Sequence, residues 1–392
     1  MVAYLALASW VGEDWDQGVR PDCVHNGCLK SITLWGDYRR EEIANEIGIG
    51  TEVENGYSVY QVSFASDGRT ARATITVPFG LAPPPLGWHV VALAPWTVGT
   101  GDVCAPGNSL YGVDLAGSMG ARGMVGVAVD YAGLGTEGNH PYLVSEVEGR
   151  SILDALRAME NLGRIFEIPL SGKSAVVGVS QGGHAVIGTA AQHEGYAPEL
   201  AIRAFGAAAP SHLSLEGWGA YVDVPGTHLA YYAWLVHSWL DHYGNEGPPV
   251  WAPGMEARID SLAASKCQGG NDSFVRGIGK DPSAIFSDTL IHDWQEGDLS
   301  AWPALEKGFV ENDIQTYHQT APLLIYQGGL DSIVPAPSTN SLVSKLREGG
   351  VEVDYRVVGL GRHTDVAFGP LSSRQWRREE SLVWLRQLLD GE

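Results

Sequence analysis

The segment 174–185, SAVVGVSQGGHA, constrains this chain more than any other stretch. A run of small and β-branched apolar residues leads into Ser180, which lies between Gly178 and Gly182, with Gly183 directly after. A bare G-x-S-x-G carries little weight in a chain with 50 glycines among 392 residues. The context carries more. The match follows an apolar strand and opens a helical stretch, GGHAVIGTAAQH. A strand, a tight turn and a helix form the elbow on which a nucleophilic serine is held in a strained conformation. Side chains two residues before and after such a serine would collide, so both positions demand glycine. The plain alternative is an ordinary glycine-rich strand-to-helix turn.

The surrounding pattern fits the elbow. Residues 57–79 read as a β-hairpin, with alternating runs YSVYQVSFAS and TARATITVPF joined through an Asp-Gly turn. WHVVALAP, MVGVAVDYAG, SAVVGVS and LAIRAFGAAAP are apolar strands. SLYGVDLAGSMGARG, SEVEGRSILDALRAMENLG and GGHAVIGTAAQH have helical spacing, the second ending at Gly163. Apolar strands alternating with helices predict an α/β fold with a mostly parallel sheet covered on both faces. The alternation breaks over residues 211–320, which are aromatic and irregular, and resumes at APLLIYQGGLD. Four segments follow: an N-terminal extension at 1–50, a first core part at 51–210, an insertion at 211–320 and a second core part at 321–392. The aromatic run at 228–242 is expected to form amphipathic helices of the insertion with one face over the site.

A serine hydroxyl needs a base, and the base needs an orienting acid. In α/β-hydrolases these follow in the order Ser, Asp, His. Asp331 lies in the loop GGLDSIVP after one resumed strand, and His363 lies in GLGRHTD after the next. Both thus fall at carboxyl ends of strands, on the edge that carries Ser180. Asp365 is a rival acid, but two residues from His363 its reach is awkward. His184 lies on the helix behind the nucleophile and is expected to point away as a packed histidine.

Charge narrows the partners. The formal net charge is -21, with 46 acidic against 25 basic residues. Phosphate binding needs a basic surface, so a nucleic-acid partner is excluded, and an anionic membrane would repel the chain. No apolar run reaches the roughly 18 residues of a membrane span. The start MVAYLALASW lacks the Lys or Arg that opens a signal peptide and reads as the stub of one or as a misplaced start. Four cysteines suit two disulfides and an oxidising compartment, secreted or periplasmic. Cys23 and Cys28 can close a small loop. With His25 the same pair can be read as a metal site, but two thiols and one imidazole make only half a signature.

These motifs together resemble the secretory lipase family, the lipase-A-like branch of the α/β-hydrolases. The matching pieces are GTGDVCAPG, DYAGLGTEGNHPYL, SEVEGRSILDALRA, GVSQGGHA, AAAP, GGLDSIVP and GRHTD. The resemblance implies an α/β-hydrolase fold with a mainly helical lid inserted after the sixth core strand. It implies a carboxylic-ester hydrolase with Ser180 as nucleophile, Asp331 as acid and His363 as base. Asp102 corresponds to the family's oxyanion-hole aspartate, and the backbone N–H of Gln181 is the second donor. An ionised carboxylate only accepts hydrogen bonds, so Asp102 would serve through its backbone N–H or as a neutral carboxyl. The family also implies a disulfide from Cys104 to Cys267 in the lid, leaving Cys23 with Cys28. Where many relatives carry His-Gly-Thr, this chain reads Pro95-Trp96-Thr97-Val98-Gly99-Thr100.

The expected activity is an esterase or lipase acting on short- to medium-chain acyl esters through an acyl-enzyme, with no metal or organic cofactor. The expected partner is a small-molecule or lipid ester. The same triad would permit acyl transfer to an alcohol, or peptidase action. A non-catalytic binding module is disfavoured because Ser, Asp and His are all present.

Overall fold

The first strand, β1 (Leu29–Tyr38), pairs antiparallel with β2 (Gly56–Ser66), which turns at once into β3 (Arg69–Phe79). The turn residues Asp67 and Gly68 have φ of 47° and 74°. A two-residue hairpin turn that matches strand twist needs positive φ at both positions, hence the Asp-Gly pair. β4 (Trp88–Ala94), β5 (Val125–Asp130), β6 (Leu170–Val179), β7 (Ala201–Ala208), β8 (Leu323–Gly328) and β9 (Val353–Val358) then run parallel to one another. The sheet order is β1-β2-β3-β5-β4-β6-β7-β8-β9. Every residue of β4, β5 and β8 is buried, as continuous apolar strands covered on both faces must be. This computed structural model describes residues 19–46, 53–269, 273–314, 316–368 and 375–391. The apolar start of the chain lies outside them.

From β4 the chain steps to one side for β5 and then crosses to the other for β6. That reversal opens a crevice beyond the carboxyl ends of β4 and β6, where ligands of open α/β sheets bind. Core helices Leu110–Gly120, Ser145–Ile165, Gln181–Tyr196, Ala336–Glu348 and Gln375–Asp390 connect or follow the strands. The expected helix end at Gly163 is corrected. The helix runs on to Ile165, and Gly163 is a packing position, since a Cβ there would lie 2.8 Å from Leu170 Cδ1.

The chain between β7 and β8 forms eight short to medium helices among its described residues. The aromatic run at 228–242 falls in one helix that is more buried than the expected amphipathic pattern, with Tyr231 and Tyr232 facing the cleft that holds Ser180. The helix Leu229–Tyr243 buries ten of its fifteen residues, including Trp234 and Trp239. An apolar helix surrounded on most sides is a core helix, not a half-wetted cover. Trp234 stacks on Phe274 at 4.3 Å and Trp239 meets Phe309 edge-on at 5.0 Å, so the insertion has an aromatic core of its own.

The segment set apart as an N-terminal extension supplies β1, an edge strand that alternates between covered and exposed residues and shifts register twice. Such irregularities blunt an open sheet edge against pairing with another chain. Disulfides join Cys23 to Cys28 and Cys104 to Cys267. The first pairing replaces the metal reading of Cys23, Cys28 and His25. No described helix is long and apolar enough to cross a membrane.

Candidate active site

The elbow is built from the carboxyl end of β6 upward. Ser180 has φ 62° and ψ −118°, a conformation that costs a side-chain-bearing residue energy and persists only when its surroundings enforce it. They do. Ser180 N–H donates to Ala208 O at 2.9 Å, and Ser180 O accepts from His184 N at 3.0 Å as the helix begins. A Cβ at Gly178 would strike the backbone of Gly182, and one at Gly182 would strike Ala94 O. Both glycines are therefore required by backbone contact on the two flanks of the turn.

Asp331 and His363 meet across two neighbouring loops. Gly328 and Gly329 end β8 against Gly361 and Gly359, whose carbonyl oxygens occupy the space a Cβ would need. Gly329 N–H donates to Val358 O and Leu330 N–H to Gly361 O, at 2.8 and 2.9 Å. The loops are thereby clamped, and His363 Nδ1 lies 2.7 Å from Asp331 Oδ2. Asp331 Oδ1 accepts the N–H groups of Ile333 and Val334 at 2.8 and 2.9 Å. The carboxylate is fully buried, and three donors orient it as an acceptor. With Nδ1 donating to Asp331, the imidazole keeps Nε2 as its free acceptor. Asp365 is engaged elsewhere, accepting Arg362 N–H at 2.9 Å. Among the described residues no hydrogen bond joins Ser180 to His363. Such contacts are often long in an unliganded hydrolase and tighten in the reacting complex.

A cleft of about 460 Å³ opens above Ser180. Residues between Ser211 and Tyr232, from the insertion, form one side. Residues between Ser332 and Ser341, following β8, form the other. Trp218, Tyr221, Tyr231 and Tyr232 give it an aromatic wall, and Ser211, Glu216 and Ser338 supply polar groups.

Asp102, expected to serve the oxyanion hole through its backbone N–H or as a neutral carboxyl, has its side chain engaged as an acceptor. It is exposed, it starts a short 3-10 turn, and its Oδ1 accepts Gly135 N–H at 2.9 Å. In that bond the carboxylate is the acceptor, and its Oδ1 is taken up by Gly135. The Asp102 carbonyl also accepts Asn108 Nδ2 at 2.8 Å, so the residue ties the turn to two neighbouring segments. Asp102→Ala is expected to lower kcat/KM less than about tenfold, against the 10²–10³-fold typical of losing a true oxyanion donor. Steady-state kinetics on a p-nitrophenyl ester decides between them.

Gln181 follows the nucleophile and opens the helix, so its backbone N–H has no partner within the helix. What holds it escaped the sequence reading. Its buried Nε2 donates to Glu148 Oε1 at 2.7 Å and to His140 Nε2 at 2.8 Å. Glu148 has no exposed surface. It also accepts Leu143 N–H at 2.9 Å and meets His184 Nδ1 at 3.1 Å. Burial lowers the pKa of His140 and favours the neutral ring that can accept from Gln181. His184 is thus a buried structural partner of Glu148. Glu148→Gln would turn an NH₂ group toward donors already pointing inward. It is expected to cost about 1–3 kcal/mol of stability, the penalty of a buried unsatisfied group. Denaturant unfolding of the variant beside wild type measures this.

Residues 115–217, which include the elbow, match the family model described as Secretory lipase. The resemblance read from the motifs is borne out in that segment. Lipase 2 of Candida albicans is 25% identical over 268 residues, covering 64% of this chain and 53% of that protein. Lipase A of Arthroderma benhamiae is 27% identical over 255 residues, covering 62% and 49%. The chain spans about half the length of these curated relatives. Among solved structures, the rice cell wall degrading esterase LipA of Xanthomonas oryzae superposes with a TM-score of 0.75 at 19% identity, over 94% of this chain and 99% of that one. Closed-state lipase A of Candida antarctica superposes with a TM-score of 0.66 at 17% identity, over 94% and 83%. The fold is that of the α/β-hydrolases.

Proposed function

We propose, from an α/β-hydrolase fold with a secretory-lipase segment at its elbow, that this chain is a serine carboxylic-ester hydrolase. The observation that carries the reading is the fully buried Asp331 carboxylate bonded to His363 at 2.7 Å, on the sheet edge that bears the strained Ser180. Ser180 Oγ adds to the ester carbonyl while His363 Nε2 takes its proton. His363 then returns the proton to the departing alcohol, leaving an acyl-serine. Water, deprotonated by the same nitrogen, releases the acid and restores the serine. Asp331 holds the imidazole tautomer and stabilises the imidazolium that forms. The oxyanion is held by Gln181 N–H, at a helix N-terminus whose dipole favours negative charge. A second donor is assigned to the backbone of the buried loop around Trp96 and Thr97, which follows β4.

Residues 211–320 act as the lid, with short- to medium-chain acyl groups in the cleft beneath. The two disulfides support a secreted or periplasmic protein, since such bonds persist in oxidising compartments. A panel of p-nitrophenyl esters from acetate to palmitate tests the reading. Turnover greatest with short to medium chains is expected, and no turnover of any member overturns it.

A further inference from the structure

We propose that the cleft continues into a second cavity that receives an anionic group of the substrate, held by Arg276 and Lys280. The proposal rests on the ester-hydrolase reading and narrows its substrate class.

The second cavity measures about 740 Å³ and shares His228, Tyr231, Ser332 and Ile333 with the cleft above Ser180. The two cavities therefore adjoin at those four residues, and the proposal places a ligand reacting at Ser180 across them. Arg276 and Lys280 both line it, and among the described residues no Asp or Glu does. Acidic residues outnumber basic ones 46 to 25, so carboxylate partners are in excess. Arg150, Arg157, Arg356 and Lys345 all carry such partners. Arg276 and Lys280 have neither an ion pair nor a side-chain hydrogen bond among the described residues.

Backbone bonds hold both residues in place without engaging their side chains. Lys280 O accepts Gly226 N–H at 3.0 Å, and Arg276 N–H donates to Ser273 O at 3.1 Å. Glu216, by contrast, lines the first cleft. An anionic substituent is thus repelled there and attracted in the second cavity. In a chain of net charge -21, the field at long range opposes anions, so two cations that lack an acidic partner among the described residues set where an anion can settle. The chemistry that fits is an ester whose acyl or alcohol part bears a carboxylate or phosphate. Either is recognised by a guanidinium beside an ammonium.

Paired esters that differ only in charge test this. The alcohol arm compares 4-butanoyloxybenzoate with 4-butanoyloxybenzamide. The acyl arm compares p-nitrophenyl hydrogen adipate with its methyl ester. In at least one arm wild type is expected to favour the anion, and R276Q/K280Q to lower the anionic-to-neutral ratio of kcat/KM by about tenfold, the scale of two partly exposed ion pairs. The preference should shrink in 0.5 M salt, where the screening length falls to roughly 4 Å. Calorimetric binding of the matching amides, 4-butanamidobenzoate and 4-butanamidobenzamide, reads the cavity without any ester chemistry. For the acyl arm, adipate mono-anilide and its methyl ester do the same. An unaltered ratio in both arms, with equal binding of charged and neutral amides, overturns the proposal. Absent ester turnover with charge-selective amide binding retains the anion site and overturns the hydrolase reading instead.

Discussion

Ser180→Ala is expected to lower kcat for a p-nitrophenyl ester by on the order of 10⁴-fold or more, the scale seen when a triad nucleophile is removed. The melting temperature should hardly change, because Ser180 bonds its surroundings through its backbone. His363→Ala should cost nearly as much, since without it nothing takes the serine proton. The two losses should not add, because residues that act as one unit are grossly non-additive. Asp331→Asn tests the orienting role. It leaves the two backbone donors of Ile333 and Val334 in place but presents the imidazole with an amide. A Ser180→Ala enzyme that keeps a tenth of its activity would sink the assignment.

Severing Cys104–Cys267 is expected to give the largest loss of stability. The bond spans 163 residues, and the chain-entropy model assigns a loop of that size about 5 kcal/mol, an upper figure because denatured chains retain structure. Its place also matters for the site. Next to it, Gln268 N–H donates to Val98 O at 2.8 Å, and Gly99 packs so closely that a Cβ would lie 2.9 Å from Cys104 Sγ. The insertion is thus stitched to the loop that follows β4, where the second oxyanion donor is assigned. The double variant Cys104→Ser/Cys267→Ser should unfold at lower denaturant concentration and lose kcat more than it gains KM. Breaking Cys23–Cys28, whose loop spans only five residues, should do much less. Equal unfolding midpoints for wild type and the Cys104/Cys267 variant would contradict this.

Some features needed no partner to be recognised. The Asp-Gly turn of the β2–β3 hairpin, the glycines around Ser180 and the buried strands are local. Each follows from the φ a turn demands or from a period of apolar residues within one segment. That Ser180, Asp331 and His363 follow three parallel strands was legible for the same reason, because strand order places carboxyl ends on one edge. β1 was not legible, being a half-exposed edge strand whose alternation means little until β2 lies beside it. The same limit applies to the helix Leu229–Tyr243, whose aromatic residues look like one wet face until Phe274 and Phe309 pack against them.

The remaining features were decided by tertiary contact between segments far apart in the chain. Glu148 reads as one more acidic residue on a helix, yet it is buried under Gln181, 33 residues away. Asp102 matches a family position by motif, but Gly135, also 33 residues away, takes its carboxylate. Gly328 and Gly329 are needed because the loops after β8 and β9 touch through their backbones. Arg276 and Lys280 gain meaning only because the insertion folds them beside the cleft of Ser180. Periodicity and turn chemistry act within a few residues and so are written in the sequence. Which buried donor meets which acceptor depends on how the strand ends and the insertion come together, and only the folded chain brings them there.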